Sequence, residues 1–472
     1  MNHHPSAQAH HAAAPEDAPV PGRWFALALL CLAQFMLILD ITVINVALPD
    51  LSRDIGLSAT SAAWTIAAYA IPFAGLMLLG GRSADLLGSR RVFMAGLVVF
   101  TVASFVAGLA SDATMLLAAR AAQGVGAAFL SPSALSIVTR LFTGHSRHRA
   151  LAVWGAIGGS GAAVGVLLGG LLTAGPGWRW IFFVNVPIGI LLAVAVPLVV
   201  PASRGLGDGK FDVIGAILAT LGTASFIIGI AQIGSAGNGL LFIGAAVIIL
   251  GLFAVVESFA AKPLVDLQLL ARRPIQAGAL LMLVATGLLV GSFFLLSFAL
   301  QSRFGWTALD TGLGFLPVAV ATIIGAHLAG HAVGHLGGRT VAVIGLFAAA
   351  ASLAFATTAL GSPMLLIVAV ATTALGLGMV FVSATTTAMA HAGRNETGVV
   401  SGLVNTFHEL GGAMGAAILA AVAAASLAAP AVAGGFVDAL TLSAIVAGVT
   451  ALLAIIVVPG GKPAPGAPRF VH

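Results

Sequence analysis

The chain has 472 residues, 60% of them hydrophobic and only 7% charged, where a soluble domain carries about 25% charged residues. That deficit excludes a water-soluble enzyme and a disordered chain. The surplus of 20 Lys and Arg over 15 Asp and Glu is too thin for a nucleic-acid surface, and the single cysteine, Cys31, permits no intramolecular disulfide.

Residues 1–22 are rich in His, Ala and Pro and read as a disordered tail, without the pattern of a cleaved signal peptide. Apolar runs of bilayer length, roughly 20 residues each, then follow. They lie at 24–48, 62–80, 92–110, 115–138, 150–172, 180–200, 213–233, 239–258, 276–300, 312–332, 340–360, 364–389, 400–424 and 437–458. The pattern predicts an all-α polytopic membrane protein with fourteen transmembrane helices, closed by a short Pro-rich tail after Pro459. The 59 glycines suit close packing between such helices.

Charge orients the spans. With both termini in the cytoplasm, 16 of the 20 basic residues fall inside and three outside (Arg53, Arg179, Arg303), while Arg120 lies within a span. Trp24, Trp64, Trp178, Trp180 and Trp306 sit at span ends, where amphipathic rings prefer to lie. The halves also echo each other. Gly81, Gly88 and Arg90 recur 249 residues later as Gly330, Gly337 and Arg339, and Gly124 and Gly126 recur at an offset of 252 as Gly376 and Gly378. Repeats of this kind build many secondary transporters. The expected organisation is a tail (1–22), a six-helix bundle (23–200), two inserted helices (201–262), a second six-helix bundle (263–459) and a tail (460–472).

An ionisable group in hydrocarbon costs about 2.5–3.5 kcal/mol on insertion scales, so it points to function. Three stand out: Asp40 in the first span, Arg120 in the fourth and Glu409 in the thirteenth, beside His408. Asp40 either takes and releases a proton or holds spans one and four in a fixed ion pair. Arg120, always charged, either biases a carboxylate toward release or anchors backbone carbonyls. Glu409 either binds protons and attracts cations or pairs with His408. His327 and His331, one turn apart, share a face, yet two histidines without a third ligand make a weak metal site. Gln34, Asn45, Asn405 and Gln301 can bond substrate or bridge helices. Gly161, Gly165 and Gly169 form one stripe, suited to close packing and to bundles that rock. Asp85, Gly88, Arg90 and Arg91 lie in the loop after the second span, where Asp85 can cap a helix or pair with arginine. No Walker phosphate loop occurs, which excludes ATP as the direct energy source.

Five segments resemble the major facilitator superfamily, and within it the 14-spanner drug:proton antiporters. They are Leu39-Asp40-Ile41-Thr42-Val43-Ile44-Asn45-Val46-Ala47-Leu48-Pro49, the loop from Gly81 to Arg91, Arg120 to Ala128, Trp178 to Gly189, and Gly402 to Phe407 followed by Gly411-Gly412. One departure is Val166, where the family's fifth-helix motif has proline. The resemblance implies a fold of two six-helix bundles plus two inserted helices. It also implies proton coupling at Arg120 and a cytoplasmic latch at Asp85, Arg90 and Arg91. The resulting expectation is a plasma-membrane exporter of small amphipathic or cationic compounds, not an enzyme, driven by protons and needing no cofactor or metal. Proton-linked uptake and a non-transporting membrane scaffold are the rival readings.

Overall fold

The computed structural model describes residues 22–142, 144–202, 212–232, 238–260, 263, 267–390, 396–429 and 431–460. Nearly all of both expected tails, with Lys210, Lys262 and Arg394 in the loops, lies outside the described residues. Every regular element described is helical. The first half comprises α1 (Arg23–Ile55), α2 (Ala59–Leu87), α3 (Ser89–Gly108), α4 (Ala113–Leu141), α5 (Gly144–Ala174) and α6 (Asn185–Val199), the last entered through a turn at Trp180–Phe183. Then come α7 (Val213–Ala231) and α8 (Gly239–Phe259). The second half comprises α9 (Arg273–Phe298), α10 (Ala308–Leu336), α11 (Gly338–Thr358), α12 (Pro363–Met389), α13 (Thr397–Val422) and α14 (Gly434–Val457).

Among the described residues, twelve helices are long and apolar enough to cross a membrane. The twelve leave out α5 and α13, so the expected count of fourteen exceeds them by two. Helix α13 is diluted by Asn405, His408, Glu409 and several glycines.

Helix starts are fixed by side chains that accept orphan amides: Ser58 Oγ from Ser61 N at 3.1 Å, Asp112 Oδ1 from Met115 N at 2.9 Å, and a reciprocal Thr307–Asp310 pair. Between α2 and α3 the chain turns on Gly88 at φ 95°, and between α10 and α11 on Gly337 at φ 82°. A side chain is strained there, which is why both repeats keep glycine at this corner. Two residues on, each repeat uses its arginine alike. Arg90 donates to the Val200 carbonyl at 2.8 Å, at the end of α6, and Arg339 to the Val458 carbonyl at 2.7 Å, at the end of α14.

Packing repeats too. In each half the second and third helices clamp the fourth, and the fifth lies along the first. A Cβ on Gly126 would stand 2.8 Å from the Gly96 carbonyl, and one on Gly376 2.4 Å from the Gly345 carbonyl. The structural counterpart of Gly126 is therefore Gly376, an offset of 250, not the 252 that aligns both glycine pairs. Glycines two apart on a helix face different neighbours, and matching letters does not tell which faces which. Gly161 and Gly165 on α5 have counterparts in Gly411 and Gly415 on α13, again 250 apart.

The halves meet through α2 against α13, α5 against α10, and α1 against α9. Helices α1 and α14 respectively begin and end on one face, here the terminal face. Toward the other face, Gln301 Nε2 donates to the Val46 carbonyl at 2.8 Å across the interface. There too, a Cβ on Gly312 would stand 2.7 Å from the Val166 carbonyl. Helix α7 lies against both α2 and α13, and α8 packs chiefly on α7.

Candidate functional site

Asp40 and Arg120 are 3% and 1% exposed, and Arg120 Nη1 donates to Asp40 Oδ2 at 2.5 Å. Such a pair is tolerated in an apolar core only when further hydrogen bonds meet its polar atoms, and here both carboxylate oxygens and two of the guanidinium nitrogens have partners. Asp40 Oδ1 accepts from Gln123 Nε2 and from Asn185 Nδ2, each at 3.0 Å. Arg120 Nε donates to the Thr65 carbonyl at 3.0 Å and Nη1 to Gln123 Oε1 at 2.9 Å. Gln123 Nε2 also donates to Ser104 Oγ at 2.8 Å. Helices α1, α2, α3, α4 and α6 all contribute, so the cluster ties the first bundle together. Arg120 and Gln123, three apart on α4, share the face turned to α1. The Arg120 guanidinium lies 4.5 Å from the centroid of the Tyr69 ring. Gly124 brings that ring in, since a Cβ there would stand 2.2 Å from the Tyr69 carbonyl.

Above the cluster is a cavity of about 40 Å³ between the bundles. Ile41, Ile44 and Asn45 of α1, Ile66 and Tyr69 of α2 and Arg120 of α4 line one side. Thr286 and Val290 of α9 and His408, Glu409 and Gly412 of α13 line the other. Asp40 is not in the lining; its partner Arg120 is, and links it to the cavity. Glu409 faces the cavity from the opposite bundle and is half-buried. His408 Nδ1 pairs with Thr286 Oγ1 at 2.9 Å. The space holds water and not a drug-sized molecule, which needs roughly 300 Å³ or more, so occupancy by one requires the bundles to part.

The other expected site residues are more scattered. Gln34 accepts from Ser131 at 3.1 Å, bridging α1 and α4. Asn45 lines the cavity, whereas Asn405 is exposed one turn toward the terminal face from Glu409. Gly161, Gly165 and Gly169 face α1 of their own bundle, and it is Gly170 that meets α10. Asp85 lies 3.5 Å from Arg140, both half-exposed, while Arg91 is exposed. The His327 and His331 rings lie 4.7 Å apart, tilted by 57°, on an exposed face, and no group of three metal-binding side chains occurs among the described residues. Sequence reasoning missed Gln123, Asn185, Ser104 and Tyr69 as members of the site. The available signals were the spacing of Gln123 from Arg120 and the rank of Tyr69 as the chain's one tyrosine.

The chain matches the Major Facilitator Superfamily profile over residues 30–416. It is 37% identical to the puromycin resistance protein pur8 of Streptomyces alboniger, over 93% of this chain and 90% of that one. It is 36% identical to the cephamycin export protein CmcT of Amycolatopsis lactamdurans, over 84% of each. To the lincomycin resistance protein of Streptomyces lincolnensis it is 32% identical, over 86% and 85%. Among solved structures, a bacterial homologue of the human lysosomal transporter Spinster, in an inward-facing and occupied conformation, superposes with a TM-score of 0.66. The two are 17% identical over 93% of this chain and 96% of that one.

Proposed function

Since the chain belongs to the Major Facilitator Superfamily, whose members are transporters and not enzymes, we propose that it exports small amphipathic or cationic compounds, antibiotics among them, by alternating access coupled to proton entry. The observation that carries the reading is the buried Asp40–Arg120 pair, set behind a cavity that Glu409 enters from the other bundle. In the closed arrangement the Asp40 carboxylate accepts from three donors, Arg120, Gln123 and Asn185. In this scheme parting of the bundles draws Arg120 away from Asp40, which then takes a proton. Closure restores the donors and expels it. Asp40 is the coupling carboxylate in this scheme, Arg120 its release group, and Glu409 the second acidic group facing the substrate. The proton gradient is the energy source, with no cofactor.

The same reading places the chain in the plasma membrane with both termini cytoplasmic and fourteen crossings. Support comes from the 16-to-3 split of basic residues and from the length of the two extra helices. Helices of 31 (α5) and 26 residues (α13) exceed the roughly 20 needed to span a bilayer.

The test is extrusion of puromycin and of tetraphenylphosphonium from vesicles under an imposed proton gradient. Asp40→Asn preserves volume and mimics the protonated form. It is expected to insert normally and bind substrate, yet lose uphill transport while downhill exchange persists. If Asp40→Asn still concentrates substrate at near-normal rate, Asp40 is not the coupling group and Glu409 takes its place.

A further inference from the structure

Two residues that line the cavity each carry a polar atom with no hydrogen-bond partner in the protein. Tyr69 is 1% exposed and Asn45 6% exposed, and neither Tyr69 Oη nor Asn45 Oδ1 makes a hydrogen bond. Both residues line the cavity. Leaving a buried donor or acceptor unmet is costly, so two such residues lining one small space point to something that meets them. Their geometry is fixed. The Asn45 amide is held by its own nitrogen, which donates to the Ile41 carbonyl at 3.1 Å, and its oxygen accepts nothing from the protein. The Tyr69 ring is held by the Arg120 guanidinium on one side and by the Phe73 ring at 5.5 Å. The hydroxyl is a donor in search of an acceptor, and the amide oxygen an acceptor in search of a donor.

Resting on the transport reading above, we propose that Tyr69 and Asn45 form a polar subsite that reads a carboxamide-like edge on the transported compound. The compound's carbonyl accepts from Tyr69 Oη and its N–H or O–H donates to Asn45 Oδ1, while Ile41, Ile44, Ile66 and Val290 take its apolar body. The subsite recognises a neutral hydrogen-bonding pattern and is separate from any attraction of positive charge by Glu409. A site built around unmet polar groups discriminates strongly against ligands lacking the matching groups, whereas an apolar wall does not.

The experiment is titration calorimetry on detergent-purified full-length protein. The probes are puromycin and chloramphenicol, which carry carboxamides, and tetraphenylphosphonium, which has no hydrogen-bonding group. Tyr69→Phe keeps the ring over Arg120 and removes only the hydroxyl. It is expected to weaken both carboxamides about tenfold, one hydrogen bond's worth, and to leave tetraphenylphosphonium unchanged. Asn45→Leu is expected to give the same split. The melting temperature of Tyr69→Phe is expected to equal or exceed that of the wild type, because an unmet hydroxyl is lost. A lower melting temperature with unchanged affinities would assign the hydroxyl to a structural water and overturn the subsite. Equal weakening of all three probes, or no binding of either carboxamide to the wild type, overturns it as well. Failure of the transport reading looks different: the affinity split persists, but vesicles extrude none of the probes.

Discussion

Arg120→Leu leaves the Asp40 carboxylate among Gln123 and Asn185 with no counter-charge. Breaking a buried pair from one side costs about 3–5 kcal/mol, much of it the stranded charge. The expected order of melting temperatures in detergent is therefore wild type, then Asp40→Asn with Arg120→Leu together, then Arg120→Leu alone. A double variant no more stable than the single one would mean that Arg120 holds the bundle through the Thr65 carbonyl more than through its charge. At this scale the sequence was half legible. Asp40, Arg120 and Glu409 announce themselves because charge is rare in apolar runs. Gln123, Asn185 and Tyr69 do not, since neutral polar residues bridge helices everywhere. Only the rotation of each helix decides whether they point at a neighbour, at lipid or at Asp40.

Within and between helices, glycine sets the spacing. A Cβ on Gly415 would stand 2.0 Å from the Gly287 carbonyl, a backbone atom that moves only if α9 and α13 separate. On Gly334 of α10 a Cβ meets nothing within 4 Å. Gly415→Ala is thus expected to lower the yield of folded protein and its melting temperature by several degrees, and Gly334→Ala to leave both unchanged or slightly raised. Size-exclusion profiles and thermal melts of the two variants side by side decide it. Helices themselves were legible as apolar runs, though their ends were not. The run at 24–48 became Arg23–Ile55, because hydrogen bonding continues past the apolar stretch to the turn at Gly56. Two irregularities left no mark on hydropathy. One is the break between Phe183 and Asn185; the other is the wide π turn Ala299–Arg303, which carries Gln301 to its bond with Val46.

For the molecule as a whole, the duplication was legible and its register was not: single letters aligned at 249 and 252, while packing settles on 249 and 250. Fourteen crossings put the turn after α5 and the turn before α14 outside. Alkaline phosphatase fused after Gly175 or Ala431 is expected to be active, and fused after Gly88 or at the C-terminus to be inactive. An inactive Gly175 fusion would mean that α5 does not cross. The pair α7–α8 has a consequence of another kind. The two seams between the bundles are unequal: α7 roofs the α2–α13 seam, and behind it α8 turns Leu240, Leu241, Val247, Ile248 and Phe259 outward. No such roof lies over the α5–α10 seam among the described residues. Under the export reading, a compound arriving from the bilayer therefore meets a covered seam on one flank and an uncovered one on the other. The flanks of the molecule are thus not interchangeable, and the one that α7 and α8 cover is screened from lipid.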